Sequence, residues 1–99
     1  ARLVPADRLR AEIAPRLARD QRVAVLARTV TRPGDFSGVW IAAPEDPARY
    51  AHDLYANLRT LDAAEADDIL IESPPDAPEW LAVCDRVTRA AHGDDDDRD

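Results

Sequence analysis

Three short apolar runs constrain the fold of this 99-residue chain more than any other feature. They occupy residues 22–27, 39–42 and 69–71 and are rich in β-branched and aliphatic side chains. Runs of this kind, without polar alternation, are typical of strands that are buried on both faces. Each run therefore predicts an inner strand of a sheet that helices cover on both sides.

Amphipathic segments before and between these runs predict two of the helices. The first has Asp7 as its expected cap and an apolar face that includes the positions 9, 13 and 17. Pro15 lies inside that pattern and predicts a kink or break just before it, because proline removes a backbone donor. The second helix is expected to begin at Asp46 and Pro47 and to fade around Ala64, with an apolar stripe of Tyr50, Leu54, Leu58 and Leu61.

A further strand and a third helix complete the pattern. Arg2–Val4 predicts a short first strand that Pro5 ends. The last helix is expected to begin between Asp76 and Pro78 and to end at Gly93 as its C-terminal cap. Its apolar stripe consists of Trp80, Val83, Cys84, Val87 and Ala91.

The resulting order of strand, helix, strand, strand, helix, strand, helix indicates an α/β fold. We expect a small Rossmann-like three-layer sandwich, with a mostly parallel four-stranded sheet and three helices. The connection between the second and third strands is short for a parallel crossover, so an irregular pairing is expected there. Residues 1–93 are expected to form the domain, and residues 94–99 an acidic, low-complexity and disordered tail.

Composition excludes several functional classes. The net charge is −7, and even without the acidic tail the body is mildly acidic, which disfavours nucleic acids and anionic membranes. The longest uncharged stretch, residues 36–44, is too short to span a bilayer. One cysteine excludes an internal disulfide and a cysteine zinc site. No export leader is recognisable, so a cytoplasmic location is expected.

The predicted helix N-termini argue against nucleotide binding by this domain alone. Phosphates bind where bare N–H groups and the positive end of the helix dipole meet the anion, usually after a glycine-rich turn. Here Asp7, Asp46 and Asp76 already place a carboxylate near each of these ends. The chain also contains neither a GxGxxG motif nor a P-loop.

One pair of charges falls where parallel α/β proteins place functional groups. Glu72 and Arg28 follow two of the apolar runs, at strand ends that are predicted to be neighbours. They could form a pair that faces a ligand, or a surface ion pair worth about 1 kcal/mol or less. The sequence favours the second alternative.

The other chemistry-bearing residues have simple structural interpretations. His52 flanks an apolar stripe and is expected to be solvated rather than a ligand. Cys84 is expected to be a small core residue, because no activating base is near it in the sequence. Trp40 and Trp80 are expected to be core or interface anchors rather than a base-stacking platform.

Several segments together resemble one protein family. Residues 46–62 and 66–75, followed by Trp80 and residues 85–91, resemble the C-terminal accessory domain of the two-domain form of threonylcarbamoyl-AMP synthase. The resemblance extends from Leu3 to Ala91. Its most specific parts are residues 54–62 and 85–91, because the strands alone would match many α/β proteins.

This resemblance implies a parent nucleotidyltransferase that makes threonylcarbamoyl-AMP from threonine, bicarbonate and ATP for tRNA modification. In that family a separate YrdC-type catalytic domain holds the substrates and magnesium, and a linker joins the two domains. The resemblance therefore implies no catalytic, cofactor or metal residue in this chain, and no activity of the chain alone. ATP and magnesium are expected in the catalytic domain.

Three functional hypotheses follow. In the leading one the chain docks on the catalytic domain or its linker and biases closure of the active site. The candidate interface residues are Arg59, Asp62, Asp85, Arg86 and Arg89. Local ion pairing is an equal alternative role for these residues. In the second it is a module that binds a small effector at the carboxyl edge of the sheet, with Arg28, Glu72 and the 28–37 loop around the ligand. The third, an independent hydrolase, has the least support.

Overall fold

The computed structural model describes the backbone of residues 1–96 and the side chains of residues 1–91. Its four strands form one sheet in the order β1-β4-β2-β3, and all three pairings are parallel. The strands are β1 (Arg2–Val4), β2 (Val23–Ala27), β3 (Val39–Ala42) and β4 (Asp68–Glu72). The predicted order of strands and helices and the α/β fold class are confirmed.

Three helices cover this sheet. They are α1 (Ala6–Ala18), α2 (Pro47–Ala63) and α3 (Leu81–Asp96), and a 3-10 turn (Pro78–Trp80) leads into α3. The helices lie in two layers because the two faces of the sheet carry separate apolar clusters. One cluster joins α1 to the sheet through Leu9 and Ile13, and the other joins α2 and α3 to it through residues that include Tyr50, Leu54, Trp80 and Val87.

The burial of the strands depends on their place in the sheet. All of β2 is buried, as predicted, because β4 and β3 flank it on its two sides. The prediction that residues 39–42 form a strand buried on both faces is wrong. They form the edge strand β3, in which Val39, Trp40 and Ile41 are half-buried and Ala42 is exposed.

The crossover from β2 to β3 is regular, so the expected irregular pairing is wrong. The two strands pair in parallel from Ala24 opposite Val39 to Ala27 opposite Ala42. The segment 28–38 covers the α1 face in place of a helix, with Phe36 buried in that cluster. Phe36 also meets Trp40 edge to face, with 5.3 Å between the ring centroids.

Two predictions about α1 are wrong. The residue that precedes the helix is Pro5, which makes no side-chain capping bond, and Asp7 lies inside the first turn. There the positive end of the helix dipole still stabilises the negative charge of Asp7. The helix continues through Pro15 without the expected break. Pro15 and Ala11, whose carbonyl loses its donor, are both exposed, so water can bond that carbonyl.

The predictions for the other helix ends are confirmed in part. As predicted, Asp46 caps α2 and its Oδ2 accepts the N–H of Arg49 at 3.0 Å, while Pro47 occupies the first turn. In contrast, α3 continues past Gly93 to Asp96, so the predicted cap at Gly93 is wrong. Of the predicted tail 94–99, the first three residues belong to α3, and residues 97–99 lie outside the described residues.

Candidate functional site

The carboxyl ends of β2 and β4 meet at one edge of the sheet. The two strands pair in register up to Leu26 opposite Ile71, so Glu72 at the end of β4 lies beside the start of the segment that leaves β2. Ligands of open parallel sheets bind at such an edge. Glu72 is only 2% exposed and is therefore a buried acid at the position where a functional group is expected.

Both oxygens of the Glu72 carboxylate accept hydrogen bonds from the neighbouring segment. Oε1 accepts the backbone N–H groups of Arg28, Thr29 and Val30 at 2.9, 2.9 and 3.1 Å. Oε2 accepts the hydroxyl of Thr29 at 2.7 Å. Because one side chain satisfies three consecutive backbone donors, Glu72 fixes the path of the chain as it leaves β2.

These donors also determine the ionisation of Glu72. Burial by itself would raise the pKa of its carboxyl. The hydrogen bonds from the Thr29 hydroxyl and from the three backbone N–H groups outweigh burial and hold that pKa below its ordinary value of 4.5. Glu72 is therefore ionised at neutral pH, and its negative charge is stabilised by dipoles of the protein.

The structure shows neither of the arrangements considered for Glu72 and Arg28. Within residues 1–91 their side chains form no ion pair, and Glu72 is not a surface group. The Arg28 guanidinium lies instead over the ring of Trp80, with Cζ 5.1 Å from the ring centroid. The side chain is half-buried, and its Nε is buried without a hydrogen-bond partner among the described residues.

Tyr50 lies at the same edge and was not recognised from the sequence as a functional candidate. Its ring meets Trp80 edge to face at 5.5 Å, and the residue is 2% exposed. Its Oη is buried and, like Arg28 Nε, has no partner in the described part of the chain. Burial and the charge of Glu72 raise the pKa of Tyr50 to about 12, although Arg28 opposes this. A tyrosine in an otherwise aliphatic stripe was the available signal, because a buried hydroxyl needs a partner.

The five predicted interface residues all lie on the exposed surfaces of α2 and α3. They are Arg59, Asp62, Asp85, Arg86 and Arg89. Asp85 and Arg89 form a local ion pair at 3.0 Å. Within the described residues neither Arg59 nor Arg86 has an acidic partner of this kind.

Two large apolar side chains on the same helices were missed by the sequence analysis. Tyr55 on α2 is 74% exposed, and Leu81 at the start of α3 is 65% exposed. Tyr55 shares one flank of α2 with Arg59 and Asp62, because the spacing i, i+4, i+7 returns to the same side of a helix. We call these two apolar residues, together with the five charged ones, the α2–α3 surface.

His52 and Cys84 occupy the positions expected from the sequence. The side chain of His52 is 88% exposed, and its Nδ1 lies 3.1 Å from Oδ1 of the adjacent Asp53. Cys84 is half-buried against the second apolar cluster, and its thiol donates to the carbonyl of Pro75 at 3.5 Å. Apart from Asp53, no ionisable or nucleophilic side chain within residues 1–91 bonds to either of them.

A cleft of about 610 Å³ opens at the opposite, amino edge of the sheet. Its lining combines the ends of α1 and α2 with the starts of β2 and β3, and its charged side chains are Asp20, Arg22 and Asp35. Asp35 and Ser37 of the crossover segment lie in this cleft, while residues 28–30 bind Glu72 at the carboxyl edge. The 28–37 loop therefore does not line one pocket together with Glu72.

Several acidic side chains in the described residues bind backbone N–H groups. No group of three or more His, Cys, Asp or Glu residues in that part of the chain could hold a metal ion. Asp46 and Glu72 instead accept backbone N–H groups. None of the helices in residues 1–96 combines the length and the hydrophobicity that a membrane crossing requires.

Comparison with known proteins identifies one relationship. The family described as the C-terminal domain of threonylcarbamoyl-AMP synthase matches residues 2–92. The match runs from β1 into α3 and includes the segments 46–62 and 85–91 that carried the resemblance in the sequence. No curated protein and no solved structure matches the chain.

Proposed function

This chain belongs to the family of C-terminal domains of threonylcarbamoyl-AMP synthase, and from that premise we propose that it is a docking domain. It binds the YrdC-type catalytic domain of the synthase, or the linker between the two domains, and biases closure of the active site there. ATP, threonine, bicarbonate and magnesium bind to the catalytic domain. The process served is threonylcarbamoyladenosine modification of tRNA in the cytoplasm.

The observation that carries this proposal is the exposed pair of apolar anchors on the α2–α3 surface. Tyr55 and Leu81 are 74% and 65% exposed on helices that cover the same face of the sheet. Covering such groups with a partner would be favourable, by about 25 cal/mol for each Å² of apolar surface removed from water. Tyrosine in particular is enriched among residues that dominate the energy of protein interfaces.

The charges around these anchors fit the rim of an interface. Arg59 follows Tyr55 by one helical turn, and within the described residues Arg59 and Arg86 form no ion pair. Rim charges of this kind steer association and select a partner of complementary charge. Asp85 and Arg89 satisfy each other and are expected to contribute less.

Two positions at the carboxyl edge of the sheet support the same proposal. Glu72, at the end of β4, accepts the backbone N–H groups of residues 28–30, and Asp46 caps the N-terminus of α2. These are the two kinds of position that parallel α/β proteins use for catalysis and for binding phosphates. In this chain both are used to hold the fold.

The proposal is tested by the affinity of this chain for the separately purified catalytic domain. Replacing Tyr55 and Arg59 by alanine is expected to weaken the complex by about tenfold or more, because an anchor and its neighbouring charge are lost. In the full-length synthase the same variant is expected to lower turnover. The matched control replaces Arg8 and Arg19, which are exposed on α1, by alanine. Equal affinities and equal turnover for the two double variants would refute docking through this surface.

A module that binds a small effector at the carboxyl edge is the second candidate. It is favoured by one observation, the two unpartnered polar atoms of Arg28 and Tyr50. Glu72 has no free oxygen to offer a ligand, so the effector would contact the other two residues. Calorimetric titration of the chain with ATP, AMP, threonine and tRNA separates the two candidates, since four flat titrations favour docking alone.

A further inference from the structure

The chains that leave β4 and β2 diverge at the carboxyl edge. The segment 28–38 passes to the α1 face, where Phe36 is buried, whereas α3, which follows β4, packs on the opposite face. The two strands are neighbours in the sheet. In open parallel sheets such a divergence leaves a crevice at the carboxyl ends, and ligands bind in that crevice.

At the end of β4 this edge already holds an anion that belongs to the chain. The Glu72 carboxylate accepts the N–H groups of Arg28, Thr29 and Val30 and the hydroxyl of Thr29. These donors stabilise the negative charge of Glu72 without help from the Arg28 guanidinium. The positive charge of Arg28 is consequently left without an acidic partner within the described residues.

The same edge also presents two unused polar atoms beside one indole ring. Arg28 Nε and Tyr50 Oη are both buried without a hydrogen-bond partner in residues 1–91, and both side chains contact Trp80. Buried donors without acceptors are rare in folded proteins because the unmade bond is costly. Here both groups can donate, and one of them is cationic, so the missing partner is an acceptor with negative charge.

We propose that Arg28 and Tyr50 bind a small oxyanion group, a carboxylate or a phosphate, in the crevice between the ends of β2 and β4. Tyr50 Oη donates to one oxygen of the ligand, and the planar guanidinium donates to the oxyanion as an ionic hydrogen-bond partner. Both donor atoms are enclosed. Entry therefore requires the guanidinium to move off the Trp80 ring, a contact weak enough to be exchanged for an ionic hydrogen bond.

Tyr50 is a protonated donor at physiological pH, as an ordinary tyrosine is. This site gives the second candidate function a ligand class and rests on that candidate, but it does not depend on docking, since its residues lie at the sheet edge and not on the α2–α3 surface. The two proposals can therefore fail separately.

The test is a titration of the 99-residue chain with sodium phosphate and, separately, with sodium acetate, each against sodium chloride at equal ionic strength. The readout is the set of nitrogen–proton resonances of the Arg28 side chain and the Trp80 indole. Saturable shifts of both resonances are expected with phosphate or acetate. The anion that binds more tightly identifies the ligand class. Shifts that do not saturate, or that chloride reproduces, would overturn the site.

Matched variants make the assignment specific. Tyr50→Phe, which keeps the ring and removes only the hydroxyl, is expected to weaken binding by about tenfold, whereas Tyr55→Phe on the same helix leaves it unchanged. Arg28→Met abolishes the shift at Trp80, and Arg8→Met preserves it. Equal binding by the Tyr50 and Tyr55 variants would show an adventitious ion only and would overturn the proposal.

Discussion

Replacing Glu72 by alanine or by glutamine measures how strongly one buried carboxylate holds the start of the 28–38 segment. Alanine leaves the N–H groups of Arg28, Thr29 and Val30 and the hydroxyl of Thr29 without their acceptor. Thr29 is exposed and can turn to water, but Arg28 and Val30 are half-buried. Each uncompensated buried donor costs about 1–3 kcal/mol, so with two such donors Glu72→Ala is expected to lower the free energy of unfolding by about 2–6 kcal/mol.

Glutamine is the milder change. Its amide oxygen can still accept the three backbone N–H groups, and the Thr29 hydroxyl can rotate to accept from the amide nitrogen. What is lost is the charge, and charge-assisted hydrogen bonds are roughly twice as strong as neutral ones. The expected loss for Glu72→Gln is about 1–2 kcal/mol.

Urea unfolding followed by circular dichroism at neutral pH measures both variants against wild type. Glu45→Ala and Glu45→Gln, at an exposed position, are the controls and are expected to change stability by less than about 0.5 kcal/mol. If Glu72→Ala unfolds completely, Glu72→Gln still gives a value. A Glu72 variant that is as stable as the Glu45 controls would refute the role derived from the hydrogen bonds.

The pH dependence supplies an independent check on Glu72. Its pKa in the folded chain lies below the ordinary value of 4.5. A carboxyl of this kind contributes stability that is fully present above that value and is lost as the pH falls through the folded pKa. The stability difference between wild type and Glu72→Gln is therefore expected to be constant near neutral pH and to shrink on acidification below about 4.5. A difference that grows in acid would contradict the assigned ionisation.

Two further predictions concern positions that hold the fold. Gly38→Ala is expected to lower the free energy of unfolding in urea by about 2 kcal/mol or more, because the new Cβ would collide with the carbonyl oxygen of Val23. Gly34→Ala serves as the control, because its Cβ would meet no atom nearby. Asp46→Ala removes the acceptor of the Arg49 N–H at the start of α2 and is expected to cost about 1 kcal/mol, which Asp46→Asn should largely restore if the loss is one of capping.

Much of the fold could be predicted because its signals are local. The buried run that became β2, the Asp46 cap and the stripe of α2 depend on a few neighbouring residues, and the structure has each of them. Strand order is not local in this sense. An apolar run does not reveal whether it lies in the middle or at the edge of a sheet, and residues 39–42 were therefore wrongly expected to be buried on both faces.

The helix ends show where tertiary contacts override local preference. Asp7 has the chemistry of a cap, yet α1 begins at Ala6 and includes it. Pro15 removes one hydrogen bond, but Leu9 and Ile13 anchor α1 in the core on the preceding turns. Packing of this kind outweighs a single lost bond on the exposed side.

Only part of the candidate site could be predicted from the sequence. Glu72 was placed correctly at a strand end, but its partners are backbone groups of a distant segment, and no sequence pattern encodes backbone donors. Tyr55 and Leu81 were missed for a related reason. Their exposure depends on which flank of α2 and α3 meets the sheet, and the helical period alone fixes that flank only approximately.

Hydrogen exchange of this chain, alone and in complex with the catalytic domain of the synthase, tests docking most directly. Docking predicts slower exchange in the complex along α2 near Tyr55 and Arg59 and in the first turns of α3 after Leu81. It predicts no change along α1, which covers the opposite face. Protection confined to α1, or no protection anywhere, would contradict the proposal that this chain acts through the α2–α3 surface.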